Sequence, residues 1–207
     1  AAVTTSSIAV GSRCAFAKAG VGAVLTQHRT DPRLGPRGIA LLDQGLSAAE
    51  TIARLTNGEP GIGFRQLAAI DRAGRTAFFH GDRIASIHNA TEGEGCVAIG
   101  NIIRTKAVTD RMVEAFASRP HEHLAERLVM ALEAGLQAGG EFRQEKSAAL
   151  LVVHEQDFPL VVLRVDYDRA AIAQLRFLWD NYLPQMQLYV HRALDPETSD
   201  PPPVAVR

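Results

Sequence analysis

Cysteine is nearly absent: the chain has two, Cys14 and Cys96, among 207 residues. They stand far apart and match no metal-ligand spacing. A disulfide framework has no support, and two buried thiols in a reducing compartment is the expected state. Charge of either sign is not in excess. Lys and Arg number 22 against 23 Asp and Glu, a formal net charge of −1. Nucleic acid and anionic membrane surfaces attract concentrated positive charge, so neither is an expected partner. No apolar run approaches the roughly 18 residues that would cross a bilayer. The first residues show no basic region followed by an apolar core, so no signal peptide is expected and the expected location is cytoplasmic.

Familiar site motifs are missing too. There is no phosphate-cradling loop, no Gly-x-Ser-x-Gly elbow and no Ser-x-x-Lys. "AGVGAV" (19–24) has glycine spacing like part of a dinucleotide fingerprint, but it lacks the third glycine and the following helix. Seven histidines form no ligand set, and His121 and His123 are two apart, which points them to different faces of a helix. No metal and no cofactor are expected. His121-Glu122-His123 reads as a solvated loop.

What is present is an ordinary globular composition, 46% hydrophobic and 22% charged. A chain of this size buries roughly 70% of its unfolded surface and needs no staples. One domain over residues 1–192 followed by a Pro-rich tail, 193–207, is the expected organisation, the tail extended or disordered. Residues 1–10 and "AGVGAVLTQ" (19–27) read as strands. "RTDPRLGPRG" (29–38) reads as a loop, and 36–45 as a helix with Pro36 in its first turn and Gly45 at its end. In 46–58, Ser47 and Glu50 form a capping box ahead of an apolar stripe. Residues 65–81 read as a β-hairpin, with Asp71-Arg72-Ala73-Gly74 as the turn. A strand over 95–103 precedes amphipathic helices over 106–119 and 123–140. Apolar strands over 147–155 and 159–167 follow, then a helix over 169–192 interrupted at Pro184. Paired helices between blocks of hairpin-linked strands predict sheets covered by helical layers.

Polar residues at strand ends stand out: Thr26-Gln27, Arg65-Gln66, Gly100-Asn101, Arg143 with Ser147, and Asp166. Gathered at one open sheet edge, they would offer amide, guanidinium and hydroxyl groups to a small polar ligand.

Three stretches carry a family likeness: residues 17–81, "GEGCVAIGNII" (93–103) and "LAERLVMALEAGLQAGGEFRQEKSAALLVV" (124–153). They resemble the bacterial family catalogued as domain of unknown function 1028, over about residues 1 to 180. Thr26, Gln27, Arg65, Gln66, Asp71 and Gly74 match its pattern, as do Gly100, Asn101, Gly139, Gly140, Arg143, Ser147, Arg164 and Asp166. Departures are Lys146 for a usual Gln, Glu141 for Asp, and Ile87 for an aromatic residue. Members also begin with one further strand before the one that residues 1–10 resemble. The resemblance implies the α+β fold of the N-terminal-nucleophile (Ntn) hydrolases, a four-layer αββα sandwich of two antiparallel sheets between helical layers.

In that class the first residue's hydroxyl or thiol attacks, and its own α-amine takes the proton. Ala1 has no hydroxyl. Thr4, Thr5, Ser6 and Ser7 are therefore expected to be ordinary strand residues, with the nucleophile upstream of residue 1. The resemblance then implies a small-molecule amidase, a C–N bond hydrolase, in which Asn101 and Asp166 are the catalytic candidates. Asn101 would stabilise the oxyanion and Asp166 would orient an arginine. Gln27, Arg65, Gln66, Arg143, Ser147 and Arg164 would bind substrate, a carboxylate or an amide. The alternative is a non-catalytic ligand-binding or scaffold protein on the same fold. A homo-oligomer is expected, because the helix pairs carry more Ala and Leu than one face can bury.

Overall fold

The computed structural model describes residues 1–198. The expected extended tail lies outside the described residues from position 199 onward. The chain is mixed α and β, with every strand pairing antiparallel. Strands β1 (Ala2–Thr5), β8 (Ser147–Val152) and β9 (Val161–Val165) form one sheet in the order β1-β8-β9. A second sheet runs β2-β3-β4-β5, from Ala15–Lys18, Gly22–Gln27, Gln66–Asp71 and Thr76–His80. Strands β6 (His88–Gly93) and β7 (Cys96–Asn101) make a hairpin of their own.

Helices α1 (Leu34–Asp43) and α2 (Ala48–Thr56) lie against the four-stranded sheet. Alternation along the strands explains how. Val24, Leu67 and Ala69 point to the helices and share a core with Leu34, Leu42 and Leu55. Leu25 and Ala68, paired in register, face the other way. On that side β4 and β5 meet β7, and β2 meets β8. Helices α3 (Ala107–Ser118) and α4 (Leu124–Gln137) pack on each other, α3 over the β6-β7 hairpin and α4 over β1 and β8. Helix α5 (Ala171–Leu194) covers β8 and β9.

The capping box is formed: Glu50 N donates to Ser47 Oγ at 3.3 Å, and Ser47 N donates to Glu50 Oε2 at 2.8 Å. Pro36 lies in the first turn of α1, two residues after Leu34 starts it. Pro184 does not interrupt α5, which runs on to Leu194. A proline removes one backbone donor and crowds the preceding turn. Beside that turn, Asn181 and Gln185 donate through their side chains to the carbonyls of Phe177 and Asn181, at 2.7 and 2.9 Å. Burial of Ala171, Ile172, Leu175, Trp179 and Met186 holds both halves of the helix to the same core.

Asp71 ties the turn of the β4-β5 hairpin to α2. Its buried carboxylate accepts from Ala48 N at 3.1 Å, Ala73 N at 2.9 Å, Arg75 N at 3.1 Å and Arg75 Nε at 2.8 Å. Burial alone would raise its pKa, but those donors outweigh it and the net displacement is downward. A depressed carboxylate adds stability above its unfolded value, about 3.9, and that stability is lost as pH falls through the lower folded value. Asp71→Ala is expected to cost about 1–3 kcal/mol at pH 7, as for other buried donors left without an acceptor. Urea unfolding of both proteins should show the gap narrowing below about pH 3.9; a gap constant to pH 2 would refute the assignment.

Candidate functional site

Between β1 and β7 lies a groove. Among the described residues β1 is paired only with β8, and β7 only with β6. Two joined cavities, of about 80 and about 500 Å³, fill the space between these free edges. Both touch Ala2, Leu25, Ile99, Met112 and Leu132. The four-stranded sheet forms the floor and α3 with α4 forms the cover. The larger cavity adjoins Ala1 of β1's sheet and Cys96 of β7; the smaller adjoins Thr4 and Asn101. β1 and β7 therefore run in the same direction along the groove.

Most of the groove is apolar. Its smaller end is not. Gln27 pairs with Gln66 across β3 and β4, and Gln66 with His80 across β4 and β5. Residues paired in register share a face, so all three lie on the face of Leu25 and Ala68, at one end of the sheet. Asn101 arrives over that end as the last residue of β7. Ile102 stops the strand there with φ at 56°, a left-handed conformation uncommon for a β-branched residue. Strain of that kind costs about 1–3 kcal/mol and gathers at functional sites. Ile102 is held on both sides: its N–H donates to Ser86 Oγ at 3.1 Å, and its carbonyl accepts from Phe142 N at 2.7 Å.

The amides form one network. Asn101 Nδ2 donates to Gln66 Oε1 at 2.9 Å, and Gln66 Nε2 donates to the Gly100 carbonyl at 2.9 Å. Gln66 Nε2 also lies 2.8 Å from His80 Nδ1. Gln66 is completely buried behind the cavity, whereas Gln27 and Asn101 line it. Its charged lining is acidic, from Glu141 and Glu145, with no Lys or Arg. Burial pushes the Glu141 carboxyl up, against hydrogen bonds from Ser6 that pull it down; one is Ser6 N to Oε2, at 3.0 Å. Glu145 accepts from Glu141 N at 2.8 Å.

Other expected site residues lie elsewhere. Arg65 is half-buried in the turn before β4, where its carbonyl accepts from Gly81 N at 2.9 Å. Arg143 is exposed between α4 and β8. Ser147 is buried; its Oγ donates to the Ser7 carbonyl at 2.7 Å and accepts from Val10 N at 3.1 Å. Arg164 and Asp166 form an ion pair at 2.8 Å on β9, and the Asp166 carbonyl accepts from Ala9 N at 2.8 Å. Ser147 and Asp166 thus fasten the 6–12 segment to the first sheet. Thr4 Oγ1 donates to the Ser147 carbonyl at 2.9 Å, a strand residue's role.

His123 departs from the expected solvated loop. It caps α4, its Nδ1 accepting from Ala125 N at 3.1 Å, and its ring stacks on Trp179 with centroids 5.2 Å apart. Cys14 and Cys96 are unpaired thiols, and no group of His, Cys, Asp or Glu among the described residues could hold a metal. No helix of the described residues is long and apolar enough to cross a membrane.

His80, Glu141 and Glu145 escaped the sequence reading as members of this site. The hairpin did contain the signal for His80: a turn at 71–74 sets the register, and the register puts His80 opposite Gln66.

A model of a family of unknown function, DUF1028, matches residues 1–175. The crystal structure of protein SPO2555 from Silicibacter pomeroyi, assigned to the same family model, is similar with a TM-score of 0.81. The two are 29% identical, over 87% of this chain and 78% of that one. No curated protein matches.

Proposed function

The chain belongs to the DUF1028 family, whose function is unknown, and from that premise we propose that it is an Ntn-type hydrolase of small-molecule C–N bonds. In this reading the layers are those of an αββα sandwich. The β1 sheet and the β6-β7 hairpin are halves of one inner sheet, joined by a further strand seated in the groove. The single observation that carries the reading is the groove itself, with two free strand edges running the same way and an amide cluster at one end. One strand antiparallel to both edges would complete an all-antiparallel sheet. Its leading residue would then lie beside Thr4, Gln27 and Asn101.

The chemistry follows from that position. A Thr or Ser hydroxyl on the leading residue, upstream of residue 1, attacks the substrate carbonyl carbon while its α-amine accepts the proton. Asn101 keeps a second Nδ2 hydrogen free of the network and donates it to the developing oxyanion. The ammonium returns the proton to the leaving amine as the C–N bond breaks, and water then hydrolyses the ester to the acid and the free hydroxyl. The lining favours an amide over a carboxylate as the group recognised at this end. Gln27 and Asn101 each offer both a donor and an acceptor, and Glu141 and Glu145 would repel an anion.

A β-lactone reactive toward activated hydroxyls, applied to the natural gene product and mapped by peptide mass spectrometry, tests this. The expected result is one label, on the amino-terminal residue, blocked by a competing amide. No label, together with no turnover of an amide library, would leave the alternative, a ligand-binding protein using the same groove.

A further inference from the structure

Gln66 is the one member of the amide cluster with no exposure, and each of its polar atoms is committed. The Gly100 carbonyl can only accept, so it fixes which end of the Gln66 amide faces it. Nε2 must lie there, and Oε1 must therefore face Asn101. That in turn requires Asn101 to present Nδ2, not Oδ1. The second Nε2 hydrogen points at His80 Nδ1, which must offer a lone pair. His80 consequently carries its proton on Nε2, a buried atom with no hydrogen-bond partner among the described residues.

We propose that Gln66 is a positioning residue that holds the Asn101 carboxamide in one orientation at the cavity wall, and that neutral His80 is what locks Gln66. An imidazolium carries N–H on both nitrogens. Protonated His80 would set a donor against the donors of Gln66 Nε2, and turning the Gln66 amide to relieve this would set Oε1 against the Gly100 carbonyl and Nε2 against Asn101 Nδ2. Protonation of His80 therefore frees both amides at once. The groups facing His80 are compatible with a neutral ring. β4 contributes neutral Gln66, and β7 contributes the Gly100 carbonyl and Asn101. Phe78 lies on its own strand, and His88 of β6 is the titratable neighbour, ring centroids 5.0 Å apart. Burial first, and His88 second, hold the His80 pKa below its ordinary value. The ordered arrangement is therefore complete above about pH 6.5 and is lost as pH falls through the lower folded value.

The inference deepens the hydrolase reading, because Asn101 is its oxyanion donor, but its test does not depend on turnover. Nitrogen-15 NMR of the full chain should find His80 as the Nε2–H tautomer at pH 7.5. The Asn101 side-chain NH₂ resonance, assigned by its loss in Asn101→Ala, should shift on acidification with the midpoint of His80 itself. In His80→Asn, where an amide oxygen can replace the Nδ1 lone pair, the Asn101 resonance should no longer move with that midpoint. An Nδ1–H tautomer, or an Asn101 resonance indifferent to His80, overturns the proposal. Should His80→Asn not fold, the tautomer and the titration of the unaltered chain decide it. A failed hydroxyl label together with no amide turnover would refute the hydrolase and leave this result standing.

Discussion

Trp179→Ala is expected to remove about 3–5 kcal/mol of folding stability, the range for deleting a large aromatic side chain from a packed core. Trp179 is the largest fully buried side chain in the chain. It lies where α5 crosses the first sheet's core, in one cluster with Val129 and Leu132 of α4, Leu150 of β8 and Val161 of β9. Removing the indole opens a cavity that three elements would have to close together. Two further ties go with it. Its Nε1 donates to Glu126 Oε2 at 2.8 Å, and its ring stacks on His123. Glu126 retains Arg176, which also holds Glu133, so the carboxylate is not stranded and the cavity dominates the loss. Trp179→Phe should recover more than half of it, because most of the packed area returns without the Nε1 donor. Urea unfolding of the three proteins measures this; a loss below about 1.5 kcal/mol, outside the range for such deletions, would mean that α5 is not part of the cooperative core.

The sequence was most readable where local rules act alone. Ser47 and Glu50 marked the start of α2, and Asp71 to Gly74 marked the hairpin turn, because caps and turns depend on residues a few positions apart. The β6 strand was not readable. His88 to Gly93 carries Asn, Thr, Glu and Gly with little apolar alternation, and it becomes a strand by pairing with β7. β2 falls between the strands expected over 1–10 and 19–27 and gives no signal of its own, because Ala15 to Lys18 is only four residues long. Pro184 misled for a different reason: the packing of α5 outweighs a local penalty of about 3 kcal/mol.

Of the polar residues at strand ends, the amides come together at the candidate site and the arginines do not. Gln27 and Gln66 are visible as polar residues ending apolar strands, and the antiparallel register brings them together. Arg164 and Asp166 have the same outward mark, yet they serve an ion pair beside the 6–12 segment. Position at a strand end cannot tell the two apart, because the difference lies in which sheet the strand joins.

Under the proposed amide hydrolysis, Asn101→Ala is expected to lower kcat by about 10²–10³, the usual loss for a single oxyanion donor. KM should change little if the hydrogen bond strengthens only as charge develops. The substitution also strands Gln66 Oε1, which is buried, so a stability loss of about 1–3 kcal/mol should accompany it. The two effects need separating, and Asn101→Asp does so. A carboxylate fills the same space but cannot donate, either to Gln66 Oε1 or to an oxyanion, and its charge opposes the one that develops. If Asn101 acts on the reacting carbonyl, Asp should be at least as inactive as Ala even at temperatures where both are fully folded by circular dichroism. If Asn101 only props up the fold, turnover per folded molecule should be the same in both variants and close to that of the natural chain. That second outcome would move the oxyanion site to backbone N–H groups and leave Asn101 a packing residue.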